Sequence, residues 1–216
     1  MTSREKKQLS AEDVASILLR KKAVTLRLNP PYTWTSGIKA PIYTDNRLLM
    51  SCPPERSAIV EGLINLIESR KIRCDGIAAT AAAGIPWGAW IAGKLGLPLV
   101  FVRGKAKGHG KENSVEGIVE KGNHYVVVED LISTGGSSVN TSTEVRAKGG
   151  IVNDIIAIFT YQLPVSVENF RNEKLTASTL ADFTALIKTA VKEKYIKAKD
   201  EAAIMKWKES PEGWQP

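Results

Sequence analysis

No apolar run in this chain approaches the roughly 18 residues that would span a bilayer. The opening stretch MTSREKKQLSAED has basic residues with no apolar stretch behind them, so it does not read as a secretory signal. Cysteine is scarce. Cys52 and Cys74 stand apart, without CxxC or Cys/His spacing, which speaks against a zinc site and fits free thiols in a reducing compartment, the cytoplasm. Two common nucleotide signatures are missing as well. There is no G-x-x-x-x-G-K-[ST] run, and no G-x-G-x-x-G lies between a strand and a helix. Internal repeats and low-complexity linkers are also lacking. These absences exclude a membrane-spanning protein, a disulfide scaffold, a Walker-type nucleotidase and a dinucleotide-binding domain.

What is present reads as one globular domain over 1–216. Hydrophobic residues at 43% and charged residues at 25% give the balance of a soluble chain with a continuous core. The net charge of +7 permits nucleic acid, an anionic membrane or a small polyanion as partner. Many lysines, such as those of 188–199, also read as solvated helix faces, so charge alone does not choose. Ser10 followed by Asp13 marks a helix start, with Val14, Ile17, Leu18 and Leu19 as its apolar stripe. TWTSGIKAPIYTDNR (33–47) reads as short strands around a tight loop. Pro53-Pro54-Glu55 opens a second helix with Ile59, Leu63, Leu66 and Ile67 on one face. Strands are then predicted at 75–80, 99–102, 124–130, 154–161 and near 175–179, with helices at 84–95, 136–148, 182–194 and 200–208. Uninterrupted apolar strands alternating with helices predict an α/β fold, a mostly parallel sheet covered on both faces.

The interval 103–123 breaks this rhythm: 21 residues with no helical stripe between two strong strands. Its first half, RGKAKGHGKEN, sets four positive charges among three glycines and His109. A loop of this length is usually functional or disordered. Glycine makes it mobile and lysine makes it anion-seeking, the makings of a cationic lid. Taken in isolation, such a loop is more often a surface hairpin with incidental charge.

The strongest signal is VVVEDLISTGGSS (126–138). A buried strand ends in Glu129 and Asp130, a Ser133-Thr134-Gly135-Gly136-Ser137 turn follows, and a helix begins. Ligands of open parallel sheets bind at the carboxyl ends of the strands. A helix start offers unpaired N–H groups and the positive end of its dipole, and glycines let that backbone wrap closely around a phosphate. Carboxylates beside a phosphate site would repel it unless they accept hydrogen bonds from sugar hydroxyls. The pair above the cradle therefore points to a sugar phosphate with vicinal hydroxyls, the arrangement of ribose 5-phosphate.

Glu129–Ser137 resembles the phosphoribosyl pyrophosphate motif of type I phosphoribosyltransferases. RGKAKGHG (103–110) resembles the catalytic lid of the orotate phosphoribosyltransferases, and 33–47 resembles their base-side loop. The 120–161 stretch and the tail ending in KWKESPEGW are similar to the Gram-positive bacterial branch. The resemblance implies a type I phosphoribosyltransferase fold with an N-terminal hood (1–50) and a mobile lid (103–123). It implies transfer of a phosphoribosyl group to orotate, a pentosyltransferase reaction of pyrimidine biosynthesis, supported by Mg2+ carried mainly by the substrate diphosphate. No metal site of the chain's own is expected, and no nucleic-acid or membrane partner. Arg103, Lys107 and His109 match the lid residues that contact pyrophosphate. Lys107 carries the largest expected catalytic role, beside His109 and Asp130. Glu129 and Asp130 match the binders of the ribose hydroxyls. Leu131, Ile132, Ser133, Thr134, Gly135, Gly136 and Ser137 match the 5′-phosphate loop, Ser133 also touching orotate. Lys39 and Tyr43 are expected to frame the base. A homodimer whose lid reaches the neighbouring subunit's site is implied too.

Three features depart from the family pattern. Gly104 follows Arg103 where many members carry lysine, although Lys105 comes one place later. Ala82 and Ala83 stand where many members have tyrosine and lysine, so one pyrophosphate contact is missing. Phe159-Thr160-Tyr161 lacks an arginine that many members direct at orotate. Two rival readings follow from the residues. A transferase for another base is opposed by the lid and the base-side loop. A nucleic-acid-binding regulator is opposed by the lack of a helix-turn-helix segment, since the first 50 residues are already accounted for.

Overall fold

Each apolar run predicted as a buried strand is one. The computed structural model of the chain describes residues 9–34, 36–104 and 114–215. The chain opens with α1 (Ala11–Arg20), β1 (Val24–Leu26), β2 (Tyr32–Thr33), β3 (Lys39–Ala40), β4 (Ile42–Thr44) and a 3₁₀ turn at Asn46–Ser51. There follow α2 (Pro53–Ser69), β5 (Gly76–Thr80), α3 (Gly84–Leu95), β6 (Leu99–Val102), β7 (Val115–Glu116) and β8 (His124–Ile132). The remainder is α4 (Gly136–Ala147), β9 (Ile151–Thr160), α5 (Pro164–Asn172), β10 (Thr176–Asp182), α6 (Phe183–Lys192), a 3₁₀ turn at Ala198–Asp200 and α7 (Glu201–Trp207).

The central sheet has six strands in the order β10-β9-β8-β5-β6-β7. All pair in parallel except β7, which runs antiparallel to β6. Side chains alternate between its faces. Val126, Val128, Ile156 and Ile158 join a core with residues of α1, α2, α3 and α6. Val127, Ile155 and Ala157 join a second core with Val145 of α4 and Phe170 of α5. Burial on both faces is why these strands read as unbroken apolar runs. Two short ribbons, β1 with β4 and β2 with β3, form the N-terminal segment. Among the described residues no helix is long and apolar enough to cross a membrane.

The direction of winding reverses between β5 and β8. From β5 the chain builds outward to β6 on one side, and from β8 through β9 to β10 on the other. Such a switch point opens a crevice at the carboxyl ends of the two strands. The turns after β5 and after β8 therefore leave the sheet next to each other.

Helix ends follow the expected chemistry. Ser10 and Asp13 form a reciprocal capping box, and α3 stops at Gly96 in the left-handed region at φ +65°. Four differences from the sequence reading have physical reasons. Helix α5 was not predicted, because Ser166 and Phe170 are its buried residues and so thin a stripe leaves no helical period. Strand β1 was also missed, being three residues long with one buried. The interval 103–123 is not wholly loop, since Val115 and Glu116 pair with Val102 and Phe101. Strand β8 continues through both acids to Ile132, because its ladder with β9 runs on past them.

Candidate active site at the carboxyl ends of the strands

Glu129 and Asp130 ride the end of β8 into the crevice. Glu129 is 6% exposed, and its carboxylate accepts from Ser138 Oγ at 3.3 Å and from the Asp130 N–H at 3.1 Å. Burial, and then repulsion from Asp130, push its pKa well above the ordinary carboxylate value. Asp130 is raised too, chiefly by burial, against the pull of hydrogen bonds and the charge of Arg47. Two adjacent acids short of counter-charge are poised to meet hydroxyl donors or a cation.

Directly beyond them lies the 133–135 turn. Gly135 caps α4 at φ +78°, and a Cβ there would stand 2.7 Å from the Phe170 ring. Only glycine fits both the backbone angle and the space. Asn169 Nδ2 donates to the Thr134 carbonyl at 2.9 Å, so α5 buttresses the turn from outside. No side chain among the described residues caps α4, which leaves its first amides open to an anion.

The neighbouring turn, 81–83, holds a cis peptide between Ala81 and Ala82 and leads into α3. A Cβ at Gly84 would stand 2.6 Å from the Val128 carbonyl oxygen. The start of α3 thus presses against β8 just before its acids. Like α4, it has no side-chain cap among the described residues. Alanines at 82 and 83 present no polar side chain to the crevice.

The N-terminal segment is docked above the end of β9. Trp34 lies 5.2 Å from Tyr161 and 5.3 Å from Trp207, ring centre to ring centre. Trp207 Nε1 donates to the Lys39 carbonyl at 3.0 Å. Tyr161, the residue at the strand end lacking an arginine, is buried in this aromatic cluster, and burial raises its pKa above the usual phenol value. Lys39 and Tyr43 are both exposed, and Lys39 Nζ donates to Thr33 Oγ1 at 2.7 Å.

The structure brings Glu129, Asp130, Leu131, Ile132, Ser133, Thr134, Gly135, Gly136 and Ser137 to one end of β8 and the start of α4. Arg103 leaves the carboxyl end of β6. Its N–H donates to the Ser114 carbonyl at 2.8 Å, and its guanidinium pairs with Glu116 at 2.9 Å. Lys107 and His109 lie outside the described residues. Two contributors escaped the sequence reading. Asn46 donates to the Asp130 carbonyl at 2.7 Å, and the charge of Arg47 reaches the Asp130 carboxylate. Both belong to the DNR end of the 33–47 segment. No local pattern marks a contact spanning 84 positions.

A parallel sheet reversing at β5/β8, with an open helix start below one buried and one half-buried acid, is the architecture of the type I phosphoribosyltransferases. No protein-family model matches the chain. The orotate phosphoribosyltransferase of Coxiella burnetii is 48% identical over 206 residues, covering 95% of this chain and 99% of that protein. That of Enterococcus faecalis is 46% identical over 204 residues, 94% of this chain and 97% of its own. The crystal structure of orotate phosphoribosyltransferase from Aeropyrum pernix matches with a TM-score of 0.73 at 27% identity, over 81% of this chain and 96% of that one. The chain belongs to the orotate phosphoribosyltransferase family.

Proposed function

We propose that the chain transfers the phosphoribosyl group of 5-phosphoribosyl 1-diphosphate to orotate, giving orotidine 5′-monophosphate and diphosphate in pyrimidine biosynthesis. The observation that carries this reading is the start of α4, capped by no side chain among the described residues, with left-handed Gly135, beneath buried Glu129 and half-buried Asp130. Amides of 131–137 hold the 5′-phosphate, and the two carboxylates accept from the ribose hydroxyls. Ser133, at the mouth of the turn, also touches orotate. In the reaction the bond from the anomeric carbon to diphosphate breaks and a bond to a ring nitrogen forms. Positive charge grows on the ribose and negative charge on the leaving group. Arg103 and Lys107, cations preorganised where anionic charge develops, stabilise the latter together with His109.

Mg2+ belongs to this reading as part of the substrate. Among the described residues no group of three or more His, Cys, Asp or Glu stands together. The adjacent hard-oxygen carboxylates Glu129 and Asp130 suit a divalent cation whose other ligands the donor brings. When bound, the ion would neutralise charge on the diphosphate. The reading includes a homodimer whose lid serves the partner's site. It also includes a cytoplasmic location, which the free thiols of Cys52 and Cys74 support.

Incubation with phosphoribosyl diphosphate, Mg2+ and an equal mixture of orotate, uracil, adenine and hypoxanthine tests the assignment. Orotidine 5′-monophosphate and diphosphate are expected in equal amounts. A purine nucleotide as the main product would overturn it.

A further inference from the structure

Strand β8 loses a neighbour where its chemistry begins. Its ladder with β5 ends at Ala79↔Val128, whereas its ladder with β9 continues to Ile132↔Thr160. The backbone carrying Glu129 and Asp130 thus crosses the switch point with one flank unpaired by β5. A main-chain carbonyl that leaves the ladder in such a place takes a donor from elsewhere. Asn46 supplies it: its Nδ2 donates to the Asp130 carbonyl at 2.7 Å, from a residue 1% exposed.

A carbonyl only accepts, so this bond decides which way round the Asn46 amide lies. That orientation leaves Asn46 Oδ1 buried with no hydrogen-bond partner among the described residues. A side chain that strands an acceptor is a poor way to fill space, because the stranded atom has lost its water. What the amide grips is therefore its purpose. The grip comes from a firm base. Asn46 opens the 3₁₀ turn Asn46–Ser51, which Asp45 caps by accepting from the Arg47 N–H at 3.2 Å. The Asp45 N–H donates to the Ala23 carbonyl at 2.7 Å. This corner belongs to the N-terminal segment, and it holds the donor half of the site.

We propose that Asn46 is a positioning residue for the phosphoribosyl donor. It holds the main chain of Asp130 so that both carboxylates face one ribose, and it ties the base-side segment to the donor site. The inference rests on the reading that Asp130 accepts from ribose hydroxyls.

Asn46→Ala removes the amide, and Asn46→Ser keeps a polar group too short to reach the carbonyl. Each is compared with wild type by steady-state kinetics in both substrates and by thermal unfolding. In whichever variants fold, KM for the donor is expected to rise about tenfold, the loss of one well-made hydrogen bond, with KM for orotate within about twofold. Because Asn46 acts through Asp130, adding Asn46→Ala or Asn46→Ser to Asp130→Asn should raise that KM less than it does in wild type. An unchanged donor KM, a fall in kcat that merely tracks the folded fraction, or full additivity with Asp130→Asn would each overturn the inference. Asp130→Asn alone separates the two levels. If it keeps the wild-type donor KM, the ribose assignment fails; if it raises that KM while the Asn46 variants do not, only the positioning role fails.

Discussion

Glu129 works against the stability of the fold that holds it. In the unfolded chain its carboxyl ionises near the ordinary 4.5, whereas burial first and Asp130 second hold the folded one protonated to higher pH. Below both values the residue is neutral in either state and the fold has its full stability. As pH rises past the unfolded value, the unfolded chain ionises first and folding is progressively disfavoured, until the folded carboxyl ionises as well. Glu129→Gln removes this penalty. It should unfold at a higher temperature than wild type at about pH 8, with the gain vanishing near about pH 4. Each kcal/mol recovered is worth about 2–4 °C in a chain of this size. The same variant should use the donor poorly, a trade of activity for stability common at binding sites. Calorimetry at the two pH values checks it, and equal unfolding temperatures at the higher one would mean that the buried charge is already compensated. Asp130→Asn tests the other carboxylate by kinetics. Charge-assisted hydrogen bonds are worth about 1.5–3 kcal/mol, so KM for phosphoribosyl diphosphate should rise about 10- to 100-fold while KM for orotate holds.

The cradle shows what one element owes another. Gly135 sits at φ +78° against the Phe170 ring, so Gly135→Ala meets both backbone strain and a contact 2.7 Å away. A loss of about 1–3 kcal/mol in stability is expected, read by denaturant unfolding, together with a higher KM for the donor as the turn shifts. A variant as stable as wild type would show that α5 yields freely and does not brace the turn. The acids, the glycines and the helix behind them were legible in sequence because strand, turn and helix start are contiguous there. Burial on both faces makes β8 a continuous apolar run, which the two acids visibly interrupt. The brace itself was not legible, since α5 buries little and its Asn169 and Phe170 act on a turn more than 30 positions earlier. The docking of the base-side segment was hidden for the same reason. Trp207 bonds to the Lys39 carbonyl across 168 positions and Asn46 to the Asp130 carbonyl across 84. Local periodicity reports which face of an element is buried, not which distant residue it meets.

At the scale of the whole molecule, the proposed division of labour makes the subunit an incomplete catalyst. On that reading the cradle of β8 and α4 holds the donor, and Arg103, Lys107 and His109, on a different stretch of chain, serve a partner's cradle. Lys107→Ala should lower kcat by about 10²- to 10³-fold, the usual loss when a group stabilising developing anionic charge is removed. Asp130→Asn should leave its own cradle weak but its lid intact. Suppose the two variants are mixed in equal amounts and allowed to exchange subunits. Half of the dimers formed at random are hybrids, and in each hybrid one site joins the intact cradle of the Lys107→Ala subunit to the intact lid of the other. The second site of that hybrid combines both defects. Assayed with the donor far below the KM of the Asp130→Asn variant, activity should therefore recover to about one quarter of the wild-type value per subunit, as closed two-fold symmetry with shared sites requires. Were each lid to serve its own subunit, every site in the hybrid would carry one defect and the mixture would be no more active than its parts. Differently tagged subunits, co-purified after exchange, establish that hybrids have formed, so a flat result would count against shared sites and in favour of self-contained ones.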